Sequence, residues 1–291
     1  MESVREHKLI RLGLPKGRMQ EQVFKLLADA GVRVEMDDRG YRPVVPLPGF
    51  EAKLLKPQNI VEMLHAGSRD IGFAGVDWVA ELDAKVVELL NTEFNPVKLV
   101  AAANPDILKD GKLPKQPLVV ASEYENLARA WIKDKGLDAE FIRSYGATEA
   151  FPPEDADCIV DNTASGATLR INRLQIVDTL MDSSTRLFAH PKALEDPVRR
   201  AAIDEFVVLL RSVLDARQRV MLEFNVPADL LQQVVAFLPC MRKPTISPLF
   251  GEDAFAVKAA VPRAALPALI HKIKVHGGSD LVVTGPDQLV P

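Results

Sequence analysis

The first 160 residues alternate between short apolar runs and amphipathic stretches, and this alternation restricts the folds open to the chain. Residues 8–14, 71–74 and 118–122 are runs typical of buried strands, whereas residues 19–30 carry apolar side chains three and four positions apart. Strands that alternate with helices predict a mostly parallel sheet with helices on both faces. Ligands of such sheets bind beyond the carboxyl ends of the strands, so functional residues are expected where strands end.

The last quarter of the chain follows a different order. After a long amphipathic helix at residues 196–216, residues 219–291 are predicted to form strand, helix, strand, strand, helix and strand, the order of the ferredoxin-like fold. Residues 254–261 are nearly all apolar, which is typical of a central strand. We therefore predict a separate module behind a boundary near residues 217–220.

Charge and composition exclude several classes of function. The 291 residues carry 36 Lys and Arg against 40 Asp and Glu, and this net charge of −4 argues against a nucleic-acid partner. No apolar run approaches the roughly 20 residues that span a bilayer, and residues 1–8 lack the apolar core of a signal peptide. We expect a cytoplasmic protein without a membrane partner. Two cysteines and five unclustered histidines predict no protein-built metal site.

The most informative strand end lies in residues 155–169. A strand ends on Asp161, and a loop of small and hydroxylated residues follows, namely Ala164, Ser165, Gly166, Ala167 and Thr168. Small side chains let backbone N–H groups approach a phosphate, and the Asp161 carboxylate suits the two hydroxyls of a ribose. Ribose 5-phosphate presents both groups together. A capped strand–helix turn without a ligand is the alternative.

Two further strand ends carry polar residues. Lys16 and Arg18 flank Gly17 where a helix begins, which favours a polyphosphate but also fits a solvated basic turn. Residues 70–77 place glycines and Asp77 after another strand, which fits either a binding loop or a tight turn with a helix cap.

Together these segments resemble the ATP phosphoribosyltransferases that begin histidine biosynthesis, in their long form. The matching segments follow the order of that family and cover nearly the whole chain: residues 12–18, 70–78, 122–127, 146–149, 156–174 and 243–249. The most specific is 156–174, which is similar to the family's signature for phosphoribosyl pyrophosphate. Glu125 replaces the proline of the family's T-E-Y-P-N-L.

The resemblance implies an α/β fold with two parts. One is a two-lobed catalytic region like periplasmic binding proteins, with lobe I at residues 1–99 and 188–218 and lobe II at 100–187. The other is a ferredoxin-like, ACT-like regulatory domain at residues 219–291. The long form of the family assembles as homo-oligomers, dimers and hexamers.

The resemblance also implies the reaction and its residues. Adenine N1 of ATP attacks C1 of phosphoribosyl pyrophosphate with Mg²⁺ present, giving phosphoribosyl-ATP and pyrophosphate. The residues expected to serve the pyrophosphate are Lys16, Arg18 and Lys56, where the family usually has arginine in place of Lys56. Asp161 is assigned to the ribose hydroxyls and residues 165–168 to the 5-phosphate, with Ala164 as a further substrate-binding residue. The remaining substrate-binding residues are Gly17, Asp77, Glu123, Tyr124 and Glu149.

Regulation by free histidine is an expectation that the C-terminal module raises. The implied allosteric residues are Asn225, Lys243 and Thr245. Asn225 stands where family members often have aspartate, and Lys243 where they have a small residue. Both changes disfavour a cationic ligand, so we expect weakened or altered inhibition.

Two rival functions remain open from the residues. A two-lobed fold also serves small-molecule binding or sensor proteins, for which Asp161 and the phosphate loop have no obvious use. A phosphoribosyltransferase for another acceptor, or a non-catalytic relative, would share the phosphate loop and differ only on the acceptor side.

Overall fold

The computed structural model describes residues 9–36 and 40–290, and the strands of these residues form two sheets. The larger sheet contains the strands β1 Ile10–Pro15, β2 Phe50–Leu55, β3 Ile71–Gly75, β4 Val87–Ala103, β5 Leu118–Ser122, β6 Ala139–Arg143, β7 Cys158–Thr163 and β8 Gln175–Ala189. The smaller sheet contains β9 Arg219–Pro227, β10 Thr245–Pro248, β11 Ala254–Pro262 and β12 Ser279–Thr284. Residues 1–8, with the predicted strand start at Lys8 and the predicted lack of a signal peptide, lie outside the described residues.

Nine α-helices lie in the described part of the chain. They are α1 Gln20–Asp29, α2 Pro57–His65, α3 Val76–Glu81, α4 Glu125–Lys135, α5 Ala167–Ile171, α6 Pro191–Glu195, α7 Pro197–Arg217, α8 Leu231–Ala236 and α9 Leu266–Val275. Pro57 occupies the first position of α2, where its missing N–H costs nothing. Gly136 ends α4 with φ +61°, a left-handed conformation that glycine adopts without strain. No helix of the described residues combines the length and apolar character needed to cross a bilayer.

The larger sheet is mixed, although the alternation predicts a mostly parallel one. Its order is β2-β1-β3-β8-β4-β7-β5-β6. The outer pairs β1–β2, β1–β3, β5–β6 and β5–β7 are parallel, whereas β3–β8, β4–β8 and β4–β7 are antiparallel. We call the half around β1–β3 lobe I and the half around β5–β7 lobe II.

The two long strands β4 and β8 connect the lobes. They pair from Val87 opposite Ala189 to Ala103 opposite Gln175, and the register shifts five times between Glu88 and Ala102, two of these shifts lying between Asn91 and Val97. Glu93 and Asn95 have positive φ values of 59° and 48°, so the strand is irregular there. The chain therefore passes between the lobes through paired but distorted strands.

A hydrophobic cluster joins the helices of lobe I to the sheet of lobe II. Its larger members include Ile60, Leu64 and Trp78 from lobe I together with Val120, Tyr124, Trp131 and Val160 from lobe II. Burial of these side chains supplies the main stabilisation of the region, at roughly 1.5–3 kcal/mol for each large one. Cys158 is buried in β7, as expected for a small hydrophobic residue in a strand.

The described residues divide into two compact units. One contains the chain up to Lys25 and Val32–Ile203, and the other contains Leu26–Gly31 and the chain from Asp204 onward. In the second unit the sheet order β10-β11-β9-β12 is antiparallel between neighbours, which is the ferredoxin-like arrangement that the strand and helix order predicts. Strand β11 is central, as its apolar sequence indicates, and α8 is a short helix of 6 residues.

Candidate active site

The carboxyl end of β7 and the loop behind it form a cleft of about 310 Å³ in lobe II. We call it the phosphate-loop cleft, and its lining residues are Arg18, Glu149, Asp161, Asn162, Thr163, Ala164, Ser165, Ala167, Thr168 and Leu169. Ser165, Ala167 and Thr168 are exposed in the loop. Strand β7 thus delivers Asp161 and the predicted loop residues to one place.

Gly166 gives the loop its turn. It lies at φ +71° directly before α5 and is buried. Its N–H donates to the Thr163 hydroxyl at 3.0 Å, and the Ser165 carbonyl accepts from Arg170 at 2.9 Å. These bonds fix the loop while they leave the Thr168 hydroxyl without a protein partner among the described contacts, so that hydroxyl is available to a ligand.

Asp161 sits in the most perturbed electrostatic environment of the cleft. Burial, together with the charges of Glu149 and Glu123, raises the pKa of its carboxyl to about 6. The Asn162 N–H, which donates to Asp161 Oδ1 at 2.7 Å, and the cation of Arg18 both oppose this rise in pKa. A carboxylate that titrates near neutral pH inside a cleft is typical of a functional site.

Two lysines lie at the same sheet edge in lobe I. Pro15 at the end of β1 and Leu55 at the end of β2 are paired in parallel register. The residues that follow them, Lys16 and Lys56, are therefore neighbours at the same edge of the sheet. The Lys16 N–H donates to the Leu55 carbonyl at 2.8 Å, and its ammonium group lies 4.0 Å from the centre of the Tyr41 ring. Gly17 follows with φ +77°, which turns the chain into the helical segment that presents Arg18.

A second cleft, of about 400 Å³, lies beside Lys56, and we call it the Lys56 cleft. Its lining residues are Lys56, Gln58, Asn59, Glu62, Trp78, Glu81, Leu82, Glu123, Glu125, Asn126, Arg143, Ser144 and Tyr145. The hydroxyls of Ser144 and Thr148 lie 2.7 Å apart, and Thr148 precedes Glu149 of the phosphate-loop cleft. Residues 144–149, which follow β6, therefore border both clefts. Arg143 and Tyr145 belong to no motif of the sequence, although both lie just before the segment 146–149 that resembles the family.

Asp77 and Tyr124 are in neither lining. Asp77 is 3% exposed and Tyr124 is 1% exposed. The Tyr124 hydroxyl donates to Asp77 Oδ2 at 2.8 Å, and the Ser183 hydroxyl donates to Asp77 Oδ1 at 2.9 Å. The Asn162 amide donates to the Tyr124 hydroxyl at 2.9 Å. Ser183 is 106 residues from Asp77 and is brought there by β8 alone, so no sequence motif could indicate this contact.

The three residues implied for regulation lie in the second unit. The Asn225 amide donates to Asp280 Oδ2 at 3.1 Å, and Lys243 and Thr245 are exposed. Hydrogen bonds from Ser279 and Asn225 lower the pKa of Asp280, so this carboxylate is ionised at neutral pH. An ionised carboxylate is therefore present beside the Asn225 amide.

Comparisons with known proteins agree on one family. The family model described as ATP phosphoribosyltransferase matches residues 56–212, and the model of that family's C-terminal domain matches residues 216–285. An ATP phosphoribosyltransferase of Pelotomaculum thermopropionicum is 35% identical over 97% of this chain and 99% of its own. One from Desulforudis audaxviator is also 35% identical with the same coverage. A solved ATP phosphoribosyl transferase complex from Thermotoga maritima has a TM-score of 0.64 over 71% of this chain and 99% of its own, with 24% identity, and supports the fold.

Proposed function

The chain belongs to the ATP phosphoribosyltransferase family, and from this premise we propose how its two clefts divide the work of that reaction. Adenine N1 of ATP attacks C1 of phosphoribosyl pyrophosphate, and phosphoribosyl-ATP and pyrophosphate form in the first step of histidine biosynthesis. The observation that carries the proposal is the phosphate-loop cleft, where Arg18 of lobe I meets Asp161 and the loop of lobe II.

The phosphate-loop cleft is proposed to bind phosphoribosyl pyrophosphate. Ser165, Gly166, Ala167 and Thr168 hold the 5-phosphate, with Ala164 in the same loop. The Asp161 carboxylate accepts hydrogen bonds from the two ribose hydroxyls, which requires its ionised form. Holding the ribose at two points restricts the orientation of C1 toward the incoming nitrogen.

The cations of lobe I are proposed to receive the pyrophosphate. Bond breaking at C1 precedes full bond formation in glycosyl transfer, so negative charge grows on the departing pyrophosphate while positive charge grows on the sugar. Lys16, Arg18 and Lys56 supply fixed positive charge at the strand ends, and such charge stabilises the transition state more than the ground state. Adenine N1 is a neutral nucleophile, so the attack needs no general base.

The acceptor side is proposed to involve Glu123 of the Lys56 cleft and Glu149 of the phosphate-loop cleft. Both carboxylates lie close enough to Asp161 to raise its pKa, which supports a role for them next to the proposed ribose site. Carboxylates accept hydrogen bonds from the exocyclic amine of adenine, and this contact would favour adenine over a base with a carbonyl at that position.

Mg²⁺ dependence is also proposed. Among residues 9–36 and 40–290 no three His, Cys, Asp or Glu side chains form a group that could hold a metal ion. The described residues therefore do not fit a dedicated protein-built site. Mg²⁺ commonly binds through substrate phosphates with few protein ligands, so we propose that it enters with pyrophosphate oxygens as its main ligands.

The wider setting consists of four further proposals. Catalytic lobe I comprises residues 1–99 and 188–218, and catalytic lobe II comprises residues 100–187. Residues 219–291 form a regulatory domain that binds histidine. The chain acts in the cytoplasm and assembles as a homo-oligomer, a dimer or hexamer. Light scattering after size exclusion measures the assembly, and a monomer at micromolar concentration would contradict it.

One assay tests the proposed function. Purified protein is incubated with ATP, phosphoribosyl pyrophosphate and Mg²⁺, and both pyrophosphate and phosphoribosyl-ATP are measured. We expect both products in equal amounts, dependent on each substrate and on Mg²⁺. Product with GTP but none with ATP would favour a transferase for another acceptor, and tight substrate binding without product would favour a sensor.

A further inference from the structure

We propose that Tyr124 is a positioning residue for the transfer, because its hydroxyl couples Asp77 of lobe I to Asn162, the neighbour of Asp161 in lobe II. This role rests on the proposed function and differs from the nucleotide contact that the family resemblance implies for Asp77 and Tyr124. A positioning role requires that both side chains are committed to each other and that their contact reaches the ribose-binding carboxylate.

The lobe I end of the coupling is Asp77, at the second residue of α3. Its two carboxylate oxygens accept from the hydroxyls of Ser183 and Tyr124, at 2.9 and 2.8 Å. Its backbone N–H donates to the same Ser183 hydroxyl at 3.2 Å. Because Asp77 is 3% exposed and both oxygens are bonded, it is part of the protein interior.

The lobe II end of the coupling is Asn162. Its side-chain amide donates to the Tyr124 hydroxyl at 2.9 Å, and its backbone N–H donates to Asp161 Oδ1 at 2.7 Å. One residue is thus held through its side chain by Tyr124 and holds Asp161 through its backbone. Freeing the Asn162 side chain would loosen the orientation of the Asp161 carboxylate.

The Tyr124 hydroxyl remains protonated in this environment. Burial and the neighbouring Asp77 carboxylate raise its pKa far above the ordinary value. It therefore donates to Asp77 and accepts from Asn162 at every pH at which the protein is folded. Both its donor and its acceptor capacity are used, so a nucleotide would have to break this pair to reach it.

Other contacts keep the lobes together independently of this hydroxyl. The Trp78 and Tyr124 rings are stacked with centres 4.5 Å apart. Glu81 of α3 accepts from the backbone N–H groups of Asn126 and Leu127, both at 3.0 Å, at the start of α4. Tyr124→Phe removes the coupling and keeps the ring contact, which separates a positioning role from a structural one.

Tyr124→Phe and Thr92→Val form a matched pair of variants. The Thr92 hydroxyl is also buried, donates to the Thr185 carbonyl at 2.6 Å and accepts from the Phe94 N–H at 3.2 Å, and it lies outside both cleft linings. Each variant loses one hydroxyl with one donated and one accepted bond. We expect the two variants to lose equal thermal stability. A kinetic difference between them would therefore arise from where the lost hydroxyl lies in the protein.

The measurement is kcat/KM for phosphoribosyl pyrophosphate and for ATP across pH 5–9 in both variants. Tyr124→Phe is expected to lower kcat/KM for phosphoribosyl pyrophosphate about tenfold, with the KM for ATP within about twofold of wild type. The acid limb of the profile should move to higher pH, because a weaker Asn162 N–H bond lowers the pKa of Asp161 less. Burial and the charges of Glu149 and Glu123 then raise this pKa with mainly the Arg18 cation to oppose them. Thr92→Val should keep the wild-type limb and kcat/KM.

Asp77→Asn provides a second test from the lobe I end and should move the acid limb in the same direction. The positioning role is overturned if folded Tyr124→Phe keeps the wild-type profile, or if both hydroxyl deletions lower the rate alike without moving the limb. A wild-type protein that forms no phosphoribosyl-ATP would instead overturn the proposed function. Active wild type with an unchanged Tyr124→Phe variant overturns only the positioning role.

Discussion

The strand ends of β3 and β7 look alike in sequence and differ in the structure. Each has an aspartate and a glycine close to the junction of a buried strand and a short helix, and both Asp77 and Asp161 are candidate substrate ligands. Asp77 is buried with both oxygens bonded by hydroxyls, whereas Asp161 faces a cleft beside exposed loop residues. An acidic strand end thus predicts a place where function is possible, and the neighbouring elements decide whether the carboxylate binds protein or ligand.

The pKa of Asp161 reflects this difference between the two aspartates. Burial beside Glu149 and Glu123 raises it to about 6, so the ionised carboxylate is destabilised when no ligand is bound. Ribose hydroxyls are such partners, since they donate hydrogen bonds to the ionised form. Functional sites often retain strained electrostatics of this kind, while structural carboxylates such as Asp77 are fully paired.

The largest expected effect is the loss of kcat/KM in the variant Asp161→Asn. Loss of hydrogen bonds to a charged group should lower kcat/KM for phosphoribosyl pyrophosphate about 10- to 150-fold while the fold is kept. Thr168→Val, which removes one exposed loop hydroxyl, should lower it in the same direction by less. Steady-state kinetics with circular dichroism measure both, and wild-type kcat/KM in the two variants would show that the cleft is not the ribose phosphate site.

The second comparison is the stability of Asp161→Asn and Asp77→Asn, which should change in opposite directions. A folded-state pKa near 6, above the ordinary value of 3.8, means that folding favours the protonated carboxyl. Stability is therefore lost as pH rises from about 4 through about 6. At pH 8 Asp161→Asn should gain about 1–3 kcal/mol, and at pH 4 it should gain nothing.

Asp77→Asn should instead lose about 2 kcal/mol at pH 8, because the amide NH₂ faces a hydroxyl that can no longer donate to it. Urea unfolding at pH 4 and pH 8 measures all three proteins. Destabilisation of both variants at pH 8 would contradict the distinction between a ligand-facing and a structural carboxylate.

Features set by a local sequence pattern are predictable, whereas those set by contacts between distant elements are not. The elements that carry their own pattern are predictable: α2 from its apolar spacing and Pro57, and the C-terminal module from its order of strands and helices. The strand β8 and the first half of β4 are missed, because polar residues such as Asp178 in β8 and Glu93 in β4 interrupt their apolar pattern. These are the strands that connect the lobes, and their pairing is set by the whole sheet.

The candidate site divides likewise. Lys56 and the loop at 164–168 follow strands directly, and Asp161 lies near the end of β7. Residues at or next to a strand end are predictable once the strand is. Ser183 and the buried state of Tyr124 depend on contacts across the lobes, which no local spacing records. The sequence therefore predicts residues that border a cleft, but it does not predict which neighbouring polar residues are buried and hydrogen-bonded within the protein.

A smaller effect is expected at the lobe I edge, where Lys56 carries the charge. Lys56→Ala should lower kcat about tenfold and change the KM for ATP less, because the loss of one cation is felt most when pyrophosphate departs. Lys56→Arg should keep or raise kcat, since a guanidinium binds phosphate oxygens with two parallel bonds. The exposed Lys115, outside both linings, is the control through Lys115→Ala. Equal rates for Lys56→Ala and Lys115→Ala would make Lys56 an ordinary surface charge.

The smallest expected effect concerns histidine and separates the roles of Asn225 and Lys243, the two residues that we expect to depart from the family pattern. Asn225 lies beside the ionised Asp280, so a carboxylate is already available to a cationic ligand, and Asn225→Asp would place two like charges about 3 Å apart. Lys243 is exposed, and its charge repels the histidine amino group only through solvent. Lys243→Ser should therefore strengthen histidine inhibition by about three- to fivefold, corresponding to about 1 kcal/mol. Histidine titrations of activity and of binding heat measure this change. If Lys243→Ser leaves the inhibition constant unchanged while wild type is already inhibited at micromolar histidine, Asp280 has taken over the role of the missing aspartate and Lys243 has none.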